Sequence, residues 1–272
     1  MARLSISSWS LHRLLGKAWY DRDASGQFKN RSDETPSIAL LDLPGEAAKH
    51  GIGTVELCHF HFPSDEASYL DALVEAVSAA DVELFSILID TGDISHHDPE
   101  SRMADFDTIR YWIDVAAEVG AEYVRIIAGD AAVDETSIAL SAKGLNELSV
   151  YADQQGVKVL TENFKKLAER PETVLEILER CEGRVGLCAD FGNFPQESRS
   201  ADLAKVLGKA NSIHAKADYP DGQMDRDAYS QNVKLAVDAG FDGPMSLIYQ
   251  DADDVWTRLD EMRDVTAGLL AR

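Results

Sequence analysis

Tyr151-Ala152-Asp153-Gln154-Gln155-Gly156, followed by Val157-Lys158-Val159-Leu160-Thr161-Glu162-Asn163, is the stretch on which the architecture turns. The first part reads as the end of an amphipathic helix. Gly156 then supplies the left-handed residue that leads a chain out of a helix toward a strand. The second part is short, apolar and β-rich, and it ends on a carboxylate. The same grammar returns at residues 114–120, where Gly120 precedes the run 123–127, and at residues 237–240, where Gly240 precedes the run 245–248. Extended along the chain, it yields strand candidates at 4–7, 54–57, 83–88, 123–127, 157–162, 185–190, 213–216 and 245–248. Helical patterns separate them at 69–80 (Leu70, Leu73, Val74 and Val77 on one face), 106–119, 172–181 and 254–270. Short apolar strands alternating with helices imply a parallel sheet covered on both faces. Eight such units in 272 residues predict an α/β chain folded as one (β/α)8 TIM barrel, a single domain over residues 1–272. A doubly wound sheet would carry a Gly-rich phosphate loop after its first strand, and none is present. Residues 16–36 are polar, with Trp19, Tyr20 and Phe28 interspersed, and read as a long loop that could act as a lid.

Composition narrows the partners. The net charge is −22 and the pI near 4.6, so the surface repels phosphate backbones and nucleic acid is not an expected partner. Apolar residues make up 45% of the chain, enough for a large core. Cys58, Cys181 and Cys188 form neither an even set nor a CxxC pair, which excludes a disulfide or zinc-finger framework; Cys188, in an apolar run, reads as a small core residue. No signal peptide and no membrane-spanning stretch is legible, and the cytoplasm is the expected compartment.

The strand ends carry the chemistry. In a closed parallel barrel they converge on one mouth, so Glu162, Asp190 and His214, each ending a late apolar run, could share one metal ion. Each has a plainer rival role: a surface carboxylate, a cap on the turn Phe191-Gly192-Asn193, and a satisfied core histidine. Lys216 has the parity of His214 and could hold a phosphate or hydroxyl, steady an enediolate, or pair with Asp190 or Glu162. Arg125, inside an apolar strand, needs a carboxylate such as Glu56 or Glu162, or an anionic substrate. Trp9 and His12 follow the first strand, where the indole could cover a sugar ring or fill a core layer. His59 and His61 follow the second, as a replacement ligand or as packing.

Taken in order, Ser5-Ile6-Ser7-Ser8-Trp9-Ser10-Leu11-His12, Thr54-Val55-Glu56-Leu57, Thr161-Glu162-Asn163, Gly186-Leu187-Cys188-Ala189-Asp190-Phe191-Gly192-Asn193 and Ile213-His214-Ala215-Lys216 resemble the xylose-isomerase-like TIM-barrel superfamily, in its sugar phosphate isomerase/epimerase branch. The resemblance implies a divalent-metal-dependent enzyme acting on a small carbohydrate by proton abstraction next to a carbonyl, through an enediolate. It matches Glu162, Asp190 and His214 to ligands of Mn, Mg, Co or Zn, with Glu162 and Lys216 in catalytic roles. Trp9, His12, His59, Arg125, Asn193 and Gln250 are the groups expected round the substrate. It also implies a homodimer or homotetramer. A second glutamate falls at Ile248, which can neither ligate nor move a proton, and the family's Glu-Asn-His-Gly-Gly turn reads Glu162-Asn163-Phe164-Lys165-Lys166 here. Gln250, with the parity of Ile248, offers only a weak oxygen ligand. Two alternatives therefore stand beside the isomerase: a dehydratase-type lyase acting on a keto-sugar or keto-inositol, and a degenerate barrel that binds without catalysis. A damaged-DNA endonuclease, which would need more histidines, is opposed by the charge.

Overall fold

Gly156 adopts φ 80° at the end of its helix, as its place in the sequence requires, and Gly120 (φ 75°) and Gly240 (φ 79°) repeat the exit. The computed structural model of the chain describes residues 2–16, 18–22, 28–32, 35–250 and 254–271. In it, β1 (Arg3–Ser7) is followed by a 3-10 turn (Ser8–Leu11) and by a ribbon of β2 (Ala18–Arg22) and β3 (Phe28–Ser32). The order then runs α1 (Leu43–Lys49), β4 (Thr54–Cys58), α2 (Ala67–Ala79), β5 (Glu83–Ile89), α3 (Pro99–Glu118) and β6 (Tyr123–Ile126). It continues with α4 (Glu135–Gln155), β7 (Lys158–Glu162), α5 (Pro171–Arg180), β8 (Val185–Asp190), α6 (Arg199–Val206), β9 (Ala210–Lys216), α7 (Arg226–Asp238), β10 (Pro244–Ile248) and α8 (Val255–Leu270). Aspartates start four of the helices: Asp98, Asp134, Asp225 and Asp254 accept the backbone N–H of Ser101, Ser137, Ala228 and Thr257.

Eight strands close into a parallel barrel in the order β1-β10-β9-β8-β7-β6-β5-β4. β1 makes the closure, pairing with β10 on one side and β4 on the other. The protein is thus a single (β/α)8 barrel, as the alternation of elements requires. Alternate side chains of the strands face outward; Ile6, Leu57, Val124, Val159, Leu187 and Leu247 join the helices in one continuous core. The inward positions are of another kind. Ser5, Ser212 and Ser246 are buried among them, and the apolar ones form two small clusters, Phe85 with Leu160 and Cys188, and Cys58 with Leu88 and Phe60. These side chains take less room than the branched residues that usually fill such a barrel.

Three expectations shift in detail. Residues 16–36 are not a plain loop, because β2 and β3 pair antiparallel from Ala18↔Ser32 to Arg22↔Phe28; residues 17, 23–27 and 33–34 lie outside the described set. β5 extends to Ile89, which puts Asp90 directly at its end, and β9 begins at Ala210. Val74 is exposed on α2, while Leu70 and Leu73 make its buried face. Among the described residues, no helix is long and apolar enough to cross a membrane.

Candidate functional site

The C-terminal ends of the strands surround a cavity of about 190 Å³. This is below the ~300–1,000 Å³ typical of sites for drug-sized ligands and suits a smaller molecule. Every barrel strand contributes to its wall or rim: Ser7, Cys58, Leu88 with Asp90, Arg125, Glu162, Asp190, His214 with Lys216, and Ile248. Trp9, Phe164, Asn193 and Gln250 complete it from the loops. A wider concavity at the opposite end of the barrel includes Lys158, Arg184 and Lys209, but the catalytic face of such barrels is the C-terminal one.

The register explains who meets whom. Glu162 lies beside Cys188, and Asp190 beside His214. His214 is only 5% exposed and is the hub. Its Nδ1 faces Glu162 Oε1 at 3.4 Å and Asp190 Oδ2 at 3.7 Å, and its Nε2 meets Glu56 Oε1 at 2.7 Å. The last contact is close but the ring N–H points off the line, so Nε2 and Glu56 Oε1 attract as charges without an aligned hydrogen bond. Burial is the largest influence on the imidazole and disfavours its charge. Cys188, Glu56, Glu162 and the Asp190 contact outweigh burial and raise its pKa well above 6.5. The opposite balance holds at Asp190: burial would raise its pKa, yet His214, Lys216 and the Gly192 N–H, which donates to Oδ1 at 2.6 Å, hold it below the usual carboxylate value. Asn163 braces the same strand end, accepting the Asp190 N–H at 2.7 Å and donating to its carbonyl at 3.0 Å.

Glu162 is held from two sides. Asn193 donates to Oε1 at 3.1 Å, and Arg125 Nε lies 2.9 Å from Oε2 without an aligned hydrogen bond. Arg125 donates from its other arm to Asp90 at 2.5 Å and carries the Phe164 ring at 5.7 Å. Burial works against Asp90, but Arg125 keeps its carboxyl below the normal range. Arg125 is therefore committed to Asp90 and Glu162, while Glu56, its other expected partner, serves His214.

Lys216 projects into the cavity over Gly192, where a Cβ would lie 2.5 Å from its Cδ; this close approach explains the glycine. No carboxylate of a described residue lies within 4.0 Å of its amine, although its charge reaches Asp190. Trp9 covers the cavity, and His12 stacks on it at 4.5 Å away from the lining. His59 is likewise not brought to the cavity. It opens a 3-10 turn (His59–His61), packs edge-on to Trp112 at 5.1 Å and accepts the Asp90 N–H at 3.2 Å. Asp90 is the lining residue that sequence reasoning missed; Glu56 was expected only as a partner of Arg125, and Cys188 only as core, yet it stands beside Glu162 and His214. The signal for Cys188 was its parity with Asp190, two residues on.

The donors suit a divalent cation. Two atoms bound to one zinc-sized ion at ~2.0–2.3 Å sit roughly 3–4 Å apart, and the Glu162 and Asp190 oxygens stand 3.4 and 3.7 Å from His214 Nδ1. Glu162 Oε1 and Asp190 Oδ2 both turn to the same imidazole nitrogen, His214 Nδ1. A carboxylate behind the second imidazole nitrogen, here Glu56, is the usual support of a metal-binding histidine.

The barrel and this cluster at its mouth define a TIM-barrel protein of the kind that works at its strand ends. A model of the xylose isomerase-like TIM barrel family matches residues 44–265, and the chain belongs to that family. Among solved structures it is similar to L-ribulose 3-epimerase (TM-score 0.74, 16% identity, covering 100% of this chain and 95% of that one). It is also similar to D-psicose 3-epimerase with D-tagatose from Clostridium cellulolyticum H10 (TM-score 0.72, 12% identity, 98% and 99% covered). A xylose isomerase-like TIM barrel protein from Mycobacterium smegmatis in complex with magnesium follows at TM-score 0.68 and 18% identity, with 98% and 97% covered. No curated protein matches the sequence.

Proposed function

We propose that this protein is a divalent-metal-dependent enzyme that takes a proton from a carbon next to a carbonyl in a small sugar or sugar derivative, an isomerase- or epimerase-type reaction. The observation that carries the reading is His214 set between Glu162 and Asp190 at 3.4 and 3.7 Å, with Glu56 behind it. The likeness to sugar epimerases supports the substrate class. Glu162, Asp190 and His214 would hold the cation, which supplies polarisation of a carbonyl and its neighbouring hydroxyl. Glu162 takes the proton, oriented by Asn193 and Arg125. Lys216, extended into the cavity, faces the oxygen on which negative charge gathers. Trp9 and Phe164 keep water from the reacting carbon.

Ile248 favours one variant of this chemistry. It lines the cavity where a second base would stand, so a one-base reaction fits best: a transfer on one face, or loss of water from a keto-sugar. The test is elemental analysis of the purified protein, then a panel of aldo- and keto-sugars in heavy water. A near-stoichiometric divalent ion is expected, with deuterium entering one sugar and Glu162→Gln cutting the rate by about 100-fold or more. Protein without a bound ion, gaining no thermal stability from Mn²⁺ and exchanging no deuterium into any sugar, would exclude the proposal.

A further inference from the structure

Cys188 lies on β8 two residues before Asp190, so both side chains point into the barrel. The register sets it against Glu162 on β7 and Ser212 on β9. Its sulfur, a Glu162 oxygen and a His214 nitrogen all lie within 4.8 Å of one another, and all three residues are buried. Phe85 and Leu160 pack against one side of Cys188, but the other side meets the polar cluster in which His214 Nδ1 lies 3.4 Å from Glu162 Oε1 and 3.7 Å from Asp190 Oδ2, all in residues at most 5% exposed. Asp190 closes the group from above, with Oδ1 taken by the Gly192 N–H and Oδ2 turned to His214. The wall that would otherwise add a further oxygen is Ile248.

We infer that Cys188 is a metal ligand and that its sulfur, with Glu162, His214 and Asp190, makes this a mixed sulfur, nitrogen and oxygen site suited to Zn²⁺ or Co²⁺ in preference to Mg²⁺. The inference rests on the metal-dependent reading above and adds to it the fourth donor and the class of cation. Thiolate and imidazole favour zinc and cobalt, whereas magnesium demands near-octahedral oxygen and keeps its waters. Binding forms one metal–sulfur bond and breaks the S–H bond. The proton leaves to water, and no electron is transferred. Cys58 also borders the cavity but stands on β4, outside this cluster, and Cys181 ends α5.

The test is titration of the metal-stripped full chain with Co²⁺, followed by absorption. The expected result is visible cobalt bands together with a near-ultraviolet sulfur-to-cobalt charge-transfer band, lost in Cys188→Ala and kept in Cys58→Ala. Calorimetry with Zn²⁺ in buffers of different ionisation heat should show one proton fewer released by Cys188→Ala, with Zn²⁺ binding at least ~10-fold weaker and Mg²⁺ binding unchanged. Visible bands without charge transfer in the unmodified protein would overturn the sulfur ligand while leaving the metal-dependent reading intact, as would a band lost only in Cys58→Ala. Failure to bind any cobalt or zinc would overturn both. Where Cys188→Ala is unstable, the nearly isosteric Cys188→Ser gives the same test, since a hydroxyl yields no sulfur-to-cobalt band.

Discussion

His214 shows how much one side chain can depend on its neighbours. With three carboxylates and a thiol around it, the ring's pKa is held well above 6.5 despite burial, so a cation competes with a proton there and metal affinity should rise with pH. Glu56 is the neighbour that fixes the ring from behind. Glu56→Gln keeps the shape and removes the charge, and it should weaken divalent-metal binding by about 10–100-fold. A chelator-competition titration measures this, and unchanged affinity would show that Glu56 is mere filling. The donors at strand ends were readable in the sequence because side-chain parity and an apolar run suffice to place them. Cys188 was harder to read: among Val185, Leu187 and Ala189 it looks like core, its parity with Asp190 gives the face it shares, and the cross-strand register with Glu162 gives its company. Asp90 was hidden because the strand was expected to end at Leu88, whereas it runs on through Ile89.

The 3-10 turn His59–His61 is the element whose stability should report pH. Burial pushes the pKa of His59 down to about 4 and that of His61 down to about 3. The Ser8 hydroxyl accepts the Cys58 N–H at 2.8 Å and shares a second hydrogen bond with His61 Nδ1, also at 2.8 Å. Above pH ~6.5 neither folded nor unfolded histidine is charged; below it the unfolded chain binds protons that the folded one refuses. Stability should therefore fall as pH drops from ~6.5 to ~4, by roughly 3 kcal/mol for each ring over that range, since both are nearly inaccessible. Urea midpoints across that range should show the decline, and His61→Gln should make it shallower; an unaltered slope would place the acid sensitivity elsewhere. The β2–β3 ribbon was the element least legible beforehand, because its order comes from antiparallel pairing and its residues form no apolar run.

Closure of the barrel is what lets donors from residues 162 to 216 share a few ångströms, and eight repeats of one local grammar were enough to foresee it. The charge acts over the same dimensions. At −22 the compact state repels itself, so raising monovalent salt from 0.01 to 0.15 M, which shortens the screening length from ~30 to ~8 Å, should raise the melting temperature. Calorimetric scans test this; a constant or falling value would mean that the surface ion pairs, such as Arg180 with Glu135 at 2.9 Å, matter more than the net repulsion. Finally, Glu162 and Ile248 stand three strands apart round the ring, a carboxylate against a hydrocarbon wall. If Glu162 is the base, as proposed, a prochiral carbon lodged between them has a carboxylate on one side and a hydrocarbon on the other, so departing hydrogen returns by the path it left. On the proposed one-base reading the product should therefore keep the handedness of its precursor at that centre, and a product inverted there would show that a second group delivers hydrogen from the Ile248 side.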